Sequence, residues 1–232
     1  VKYFVDCLDA GTKPTTVTPE EAKFAVGYLF LSGFNEIVTN IAHLDGLKLI
    51  IGSTSNSQTL EEIAEGMARR EELEEAAERL KYQKLTDKVA IVDTVKNKMA
   101  RNIGSLEQSE ENELMLSSLQ ELIAAEKVKI KVYTKQRLHA KAYLFKYAPE
   151  SAELARSTGI AIVGSSNLTL SGFKHSTELN VYVRDNKSYK ELDSWFENLW
   201  SESEPFSEKF RNSLEDSWAL RFADPYDLYI LT

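Results

Sequence analysis

The stretch that decides the fold is residues 127–178, which contains His139-Ala140-Lys141 and then Gly164-Ser165-Ser166-Asn167. Glu178 follows eleven residues after the asparagine. A histidine and a lysine two apart on a strand project from the same face of a sheet. A Gly-Ser-Ser-Asn turn at the end of a second strand offers backbone N–H groups, hydroxyls and an amide. Such groups are suited to attacking a phosphodiester and to holding the charge that develops on its oxygens.

Composition is that of a soluble globular protein, with 43% hydrophobic and 28% charged residues among 232. No run of about eighteen apolar residues occurs, so no membrane span is expected. Cys7 is the only cysteine, which excludes an intrachain disulfide and a cysteine-based zinc site and favours a reducing, cytoplasmic setting. No signal peptide is recognisable, and a first residue of Val1 suggests an excised domain of a longer protein.

Charge is unevenly distributed along the chain. The net charge of −8 argues against binding of polyanions by the whole surface. Residues 127–146 nevertheless carry seven basic side chains and no acidic one: Lys127, Lys129, Lys131, Lys135, Arg137, Lys141 and Lys146. The first three alternate with apolar residues, which is typical of a half-buried strand with one solvated face. A local basic groove is therefore compatible with the acidic chain.

The first fifty residues predict a strand, a helix and a second strand. Thr18-Pro19-Glu20-Glu21 is typical of a helix start. A buried strand is expected over 24–31, a helix over 34–43 and another buried strand over 47–51, which argues for a parallel pair in an α/β layer. Glu21-Ala22-Lys23 is interpreted as a chance match to the Glu-x-Lys of metal-dependent nucleases, and His43 as a capping or surface residue.

Residues 57–125 predict a helical insertion. Amphipathic helices are expected over 61–84, from about residue 86, and from Ser109-Glu110 to Ala125. One interpretation is an insertion packed on the sheet, and the other is a surface for dimerisation or for a partner. The first is favoured, because charged helices mostly present solvated faces.

Strand patterns return after the insertion, over 128–133, 138–145, 160–163 and 179–183. A turn-rich segment at 149–159 joins the second and third of these. Amphipathic helices are expected over 188–200 and 208–220. The whole pattern predicts an α/β fold, in which a mixed β-sheet is flanked by helices in an α-β-α sandwich.

The ordered motifs resemble the phospholipase D superfamily, whose signature is His-x-Lys followed by an aspartate, then Gly-Ser, with Asn and Glu downstream. The matching residues are His139, Lys141, Gly164, Ser165, Asn167 and Glu178. With the helical insertion, the chain looks most like the phospholipase D-like domains of bacterial helicases and restriction systems. Lys146 stands at the position of the motif aspartate, and Ser176 where an asparagine is often found. These departures place the chain toward a divergent, nuclease-like branch.

The resemblance implies a phospholipase D-like domain over 1–203 and a C-terminal extension over 204–232 that leads toward a helicase module. It also implies phosphodiester chemistry without a metal or cofactor. His139 would attack phosphorus to form a phosphohistidine, and Glu178 would accept a hydrogen bond from its other ring nitrogen. The groups expected to bind the substrate oxygens are Lys141, Asn167, Ser165 and Ser166.

One catalytic group is missing from a single chain. The mechanism needs a second histidine as general acid, and neither His43 nor His175 lies in another His-x-Lys. Single-motif members of the superfamily form homodimers, so an isologous dimer with one composite site is expected.

Two functions remain open. The first is a nuclease acting on nucleic acid, DNA in particular, within a larger helicase or defence protein. The second is a non-catalytic module that binds nucleic acid or dimerises, which Lys146 and Ser176 favour and the intact motif residues oppose. Lipid hydrolysis is disfavoured, because nothing suggests a surface for a lipid interface.

Overall fold

Within the residues that the structure describes, a mixed seven-stranded sheet lies between layers of helices. The structure, a computed structural model, describes residues 19–27, 29, 31, 34, 37–41, 43–52, 88–165 and 179–221. The strands are β1 (Pro19–Val26), β2 (Gly46–Gly52), β3 (Val128–Tyr133), β4 (Lys141–Tyr147), β5 (Gly159–Gly164), β6 (Asn180–Val183) and β7 (Glu204–Pro205). The helices are α1 (Val38–Ile41), α2 (Lys88–Ser105), α3 (Glu110–Ala124), α4 (Pro149–Ala155), α5 (Asn186–Glu202) and α6 (Ser207–Glu215).

The strand order is β6-β5-β4-β1-β2-β3-β7. β1, β2 and β3 are parallel neighbours, whereas β4, β5, β6 and β7 each pair antiparallel with the strand beside them. The predicted parallel pair and the mixed sheet are therefore confirmed. β3 and β4 follow each other in the chain but lie three positions apart in the sheet, which matters for the site.

Two apolar cores cover the two faces of the sheet. On one face, Phe24 and Leu49 pack with residues from α2, α3 and α6. On the other face, Ala25 and Ile50 pack against Phe196 of α5. Central strands with both faces covered are expected to be apolar throughout. The described helices of the insertion pack on the sheet, and the α-β-α sandwich is confirmed.

The prediction of a helix start at residues 18–21 is wrong, because β1 begins at Pro19 and ends at Val26. Proline is tolerated as the first residue of a strand, where its missing N–H leaves no gap in the ladder. Glu20 forms an ion pair with Lys146 on the neighbouring strand, with 2.8 Å between the charged atoms. The predicted strand over 24–31 was thus placed several residues too late.

Two further boundaries differ from the sequence predictions. The segment predicted as turn-rich contains α4, which ends at Arg156 in the left-handed conformation with φ of 52°. Residues 204–220 pack with the main fold, since β7 pairs with β3 and the buried Phe206 and Phe210 lie in the same core as the sheet. The predicted helix over 61–84 lies outside the described residues. None of the described helices is long and apolar enough to cross a membrane.

Candidate active site

The connection from β3 to β4 crosses one end of the sheet. Because β2 and β1 lie between those strands, residues 134–140 must pass over the carboxyl ends of β2 and β1, a distance of about 14 Å at ~4.8 Å between strands. Gly52 makes room for the crossing: a Cβ there would lie 2.5 Å from the carbonyl oxygen of Gly27 and 2.9 Å from that of Leu138. The crossing segment therefore rests directly on the sheet.

His139 and Lys141 meet where the crossing segment joins β4. The Lys141 Nζ lies 2.9 Å from Nε2 and 3.2 Å from Nδ1 of His139, and 3.2 Å from the carbonyl oxygen of His139. Lys141 is only 7% exposed, whereas His139 is exposed. An ammonium is a donor only, so the ring nitrogen that accepts must carry a lone pair, as in neutral imidazole.

His139 does not lie on a strand, and the prediction of a strand over 138–145 is corrected accordingly. β4 begins at Lys141, which pairs with Val26 of β1. The residues before it have left the ladder because they turn across the sheet end. The prediction that the His139 and Lys141 side chains project to the same side still holds, since the two side chains are in contact.

The Gly164-Ser165 part of the second motif reaches the same end of the sheet. Antiparallel pairing places Val163 of β5 opposite Ala142 of β4, so the following residues lie beside Lys141. Ser165 N–H donates to the carbonyl oxygen of Leu179 at 3.1 Å, and Leu179 N–H donates to the Ser165 hydroxyl at 3.1 Å.

These two bonds join Ser165 to Leu179 beside Lys141. Ser166, Asn167 and Glu178, predicted to complete the site, lie outside the described residues. So do His175 and Ser176.

Lys146, at the position of the motif aspartate, lies far from this end. Five residues of strand separate it from Lys141, roughly 16 Å at ~3.3 Å per residue, and an odd spacing puts it on the opposite face. Its ammonium lies 2.8 Å from Glu20 and 3.6 Å from Glu21. The hydrogen bond to Glu20 raises the pKa of Lys146 above its ordinary value. The substitution at the motif aspartate therefore leaves the His139–Lys141 pair untouched.

Other lysines of the basic segment are engaged in structural contacts. Lys131 Nζ donates to the Trp200 carbonyl oxygen at 2.9 Å and lies 4.7 Å from the centre of the Trp200 ring. The prediction of a purely solvated strand face is therefore wrong for Lys131. Lys135 lies 2.8 Å from Glu202 at the end of α5, which ties the start of the crossing segment to that helix.

The other candidates from the sequence lie elsewhere. His43 is exposed in the turn before β2, at the opposite end of the sheet from His139. Lys23, from the rejected Glu-x-Lys, is 6% exposed and binds Asp193 and Glu197 of α5, the latter at 2.8 Å. Those contacts fasten α5 to the sheet. Within the described part of the chain, no group of three or more His, Cys, Asp or Glu is arranged to hold a metal ion.

Sequence reasoning missed Gly27 and Gly52 as parts of the site. Each follows or ends an apolar strand, which is the signal that was available. Their importance depends on the crossing segment, and hence on the strand order, which no local pattern contains.

Comparison with known proteins places most of this architecture in one family. The family model described as "Cardiolipin synthase, PLD-like domain" matches residues 46–200, a range that includes His139, Lys141 and Ser165. Nuc from Salmonella typhimurium, a phospholipase D family member, is 10% identical with a TM-score of 0.45, covering 88% of this chain and 90% of that chain. NucT from Helicobacter pylori is 12% identical with a TM-score of 0.41, covering 88% and 89%. No curated protein sequence matches the chain.

Proposed function

We propose a function from one premise, which is that this chain belongs to the phospholipase D-like domain family. The observation that carries the proposal is the contact between the Lys141 ammonium and the His139 imidazole at the end of the sheet. A neutral imidazole is a nucleophile, and a buried cation beside it attracts the phosphate oxygens. The proposed activity is that of a metal-independent phosphodiesterase acting on nucleic acid, with DNA as the first substrate to test.

The first chemical step is attack of a His139 ring nitrogen on phosphorus. A phosphorus–nitrogen bond forms and the bond to the leaving oxygen breaks, which leaves a phosphohistidine. Lys141 turns one of its three N–H donors from the ring to a non-bridging oxygen, where negative charge grows. In this proposal Asn167 binds a second oxygen, and Ser165 and Ser166 donate further hydrogen bonds. Glu178 holds the other ring nitrogen and fixes its tautomer.

The leaving oxygen needs a proton, which the same histidine cannot supply while it attacks. His139 of a second copy donates that proton as an imidazolium ion. The resulting neutral imidazole then takes a proton from water, whose oxygen attacks phosphorus and releases His139. A two-fold homodimer with one composite site therefore supplies both the nucleophile and the general acid for the two steps.

The nucleic-acid substrate is favoured by the charge around His139, because Arg137 precedes it and Lys141 follows it. The resemblance of the motifs and the insertion to helicase-associated domains supports placing the chain within a larger helicase or restriction protein. The alternative of a non-catalytic binding module rests on Lys146 and Ser176, of which Ser176 lies outside the described residues. The ion pair of Lys146 with Glu20 lies at the far end of β4, so Lys146 gives that alternative no support from the site itself.

The decisive experiment is cleavage of a labelled DNA in excess EDTA by the wild-type chain, His139→Ala and the control His43→Ala. Cleavage is expected with and without EDTA in the wild type and in His43→Ala. A loss of at least about 10³-fold is expected in His139→Ala, as for removal of a catalytic nucleophile. Cleavage that disappears with EDTA and survives in His139→Ala would contradict the mechanism.

Two further readouts separate the alternatives. Binding of DNA by all three proteins without cleavage by any of them would favour the non-catalytic module. Light scattering is expected to report a dimer, and a monomer at concentrations that support cleavage would contradict the composite site.

A further inference from the structure

The crossing segment carries a second cation beside the proposed nucleophile. Leu138 and Ala140 pack into the core on the α5 side of the sheet. The His139 and Lys141 side chains instead contact each other. Arg137 is two residues from His139, a Cα separation of about 6.6 Å at ~3.3 Å per residue. The segment thus lays Arg137 and His139 in a row across the carboxyl edge of the sheet.

The residues of the crossing segment are basic or uncharged, although the chain as a whole is acidic. Residues 133–141 and 164–165, with Gly27 and Gly52, include no aspartate or glutamate. At the start of the crossing segment, Lys135 contacts Glu202 at 2.8 Å, and on β3 Lys131 donates to the Trp200 carbonyl oxygen. A local cationic strip in a protein of net charge −8 concentrates a phosphate backbone at that strip alone.

Arginine is the side chain best suited to hold a phosphate that does not react. Its planar guanidinium keeps its charge and offers paired N–H donors that match two phosphate oxygens. Arg137 is half-buried and its Nε is shielded from solvent, so the protein limits the positions that its guanidinium can take. An arginine placed this way fixes the position of a neighbouring phosphate and leaves the chemistry to His139.

We propose that Arg137 binds the phosphate next to the reacting one, so that the site takes a polynucleotide strand laid along the carboxyl edge of the sheet. This inference rests on the proposed function and specifies its substrate. A polynucleotide presents another phosphate one nucleotide from the first, within reach of a long arginine side chain. A small phosphodiester has no such group and gains nothing from Arg137. Arg137 is therefore a residue that sets specificity for polymers.

The test compares the wild type, Arg137→Ala, Arg137→Lys and the control Lys129→Ala, which removes the same charge near the start of β3, at the other end of that strand from the crossing segment. Each protein is assayed on a single-stranded oligonucleotide and on bis(p-nitrophenyl) phosphate. Arg137→Ala is expected to lower kcat/KM on the oligonucleotide about tenfold or more, as for loss of a charge-assisted hydrogen-bond pair. Its kcat/KM on the small diester should stay within about twofold of wild type, as should both activities of Lys129→Ala.

A binding measurement keeps the inference testable whatever the outcome for catalysis. Fluorescence anisotropy with the same oligonucleotide is expected to show about tenfold weaker binding for Arg137→Ala. The slope of log K against log salt should also decrease by about 0.7, as for one lost phosphate contact on a single strand. Lys129→Ala should keep the wild-type slope, and Arg137→Lys should keep the slope while losing part of the affinity, because a lysine retains the charge without the paired donors.

Several results would overturn the inference. Equal losses on both substrates would place Arg137 at the reacting phosphate or in the stability of the fold, and an unchanged oligonucleotide affinity would remove it from the interface. A wild type that cleaves the small diester but neither binds nor cleaves DNA would contradict the inference while leaving the phosphodiesterase in place. A wild type that binds DNA in the predicted Arg137-dependent way without cleaving either substrate would refute only the proposed activity.

Discussion

Replacing Gly52 by alanine tests whether the segment that carries His139 passes directly over the end of the sheet. The added Cβ would lie 2.5 Å from the Gly27 carbonyl oxygen and 2.9 Å from the Leu138 carbonyl oxygen. Both atoms belong to the backbone, so neither can turn aside as the tip of a side chain would. No described glycine has a positive φ, and the expected cost at Gly52 therefore comes from these contacts alone.

The cost is expected to fall in the range for overpacked sites, about 2–3 kcal/mol of unfolding free energy with two backbone contacts to relieve. With an m value near 3 kcal/mol/M, such a loss lowers the urea midpoint by about 1 M. Because Leu138 directly precedes His139, relief of the contact also moves the proposed nucleophile. We therefore expect kcat to fall under conditions in which Gly52→Ala is still folded.

Gly104→Ala is the matched control. A Cβ at Gly104, near the end of α2, would meet nothing within 4 Å. Alanine there removes chain entropy from the unfolded state and is expected to be neutral or to stabilise by up to about 1 kcal/mol. Urea unfolding of both variants measures the difference. A Gly52→Ala protein within about 0.5 kcal/mol of wild type, with normal kcat, would refute the close crossing.

Two other predictions concern charged groups. Lys146→Asp restores the residue type of the family motif and is expected to leave DNA cleavage unchanged. It should lower the free energy of unfolding in urea by about 0.5–1 kcal/mol, because the new carboxylate faces Glu20. A gain in activity would contradict the placement of residue 146 outside the site. Burial acts to raise the pKa of Glu197, but hydrogen bonds from Lys23 and Lys48 outweigh it and leave the pKa below its ordinary value of 4.5. The contribution of Glu197 to stability is therefore complete above pH 4.5 and is lost as the pH falls through the lowered pKa. Thermal unfolding should show Glu197→Gln to be less stable than wild type at pH about 6, with the difference closing toward pH 3; a constant difference would contradict the ion pairs.

Patterns of nearby residues predict correctly those strands and helices that depend mainly on their own sequence. The alternation of Lys129 and Lys131 with apolar residues predicts β3, and the amphipathic pattern from Ser109-Glu110 to Ala125 predicts α3. The structure adds the N-cap of α3, where the Ser109 hydroxyl accepts from the Asn112 N–H at 3.3 Å. Pro19 and the two glutamates after it are typical of a helix start and uncommon in strands, so the local sequence predicts the wrong element for β1. What makes it a strand is its pairing with β2 and β4, which are distant in sequence.

The candidate site also has one part that the sequence predicts and one part that depends on the fold. His139 and Lys141 were found from their spacing, since a motif keeps chemically required residues in a fixed local pattern. The approach of Leu138 to Gly52 and the row formed by Arg137 with His139 depend on the order of strands in the sheet. Strand order is fixed by contacts between distant segments, so it could not be deduced from the residues of the crossing segment.

The measurement that tests the central claim most directly is a search for the covalent intermediate. DNA with a labelled phosphate is mixed with the chain in excess EDTA, quenched during turnover, and the labelled peptide is mapped by mass spectrometry. We expect an acid-labile phosphorus–nitrogen adduct on His139, at no more than one adduct for every two chains, and no adduct in His139→Ala. Cleavage without an adduct on His139, or continued cleavage by His139→Ala, would contradict it.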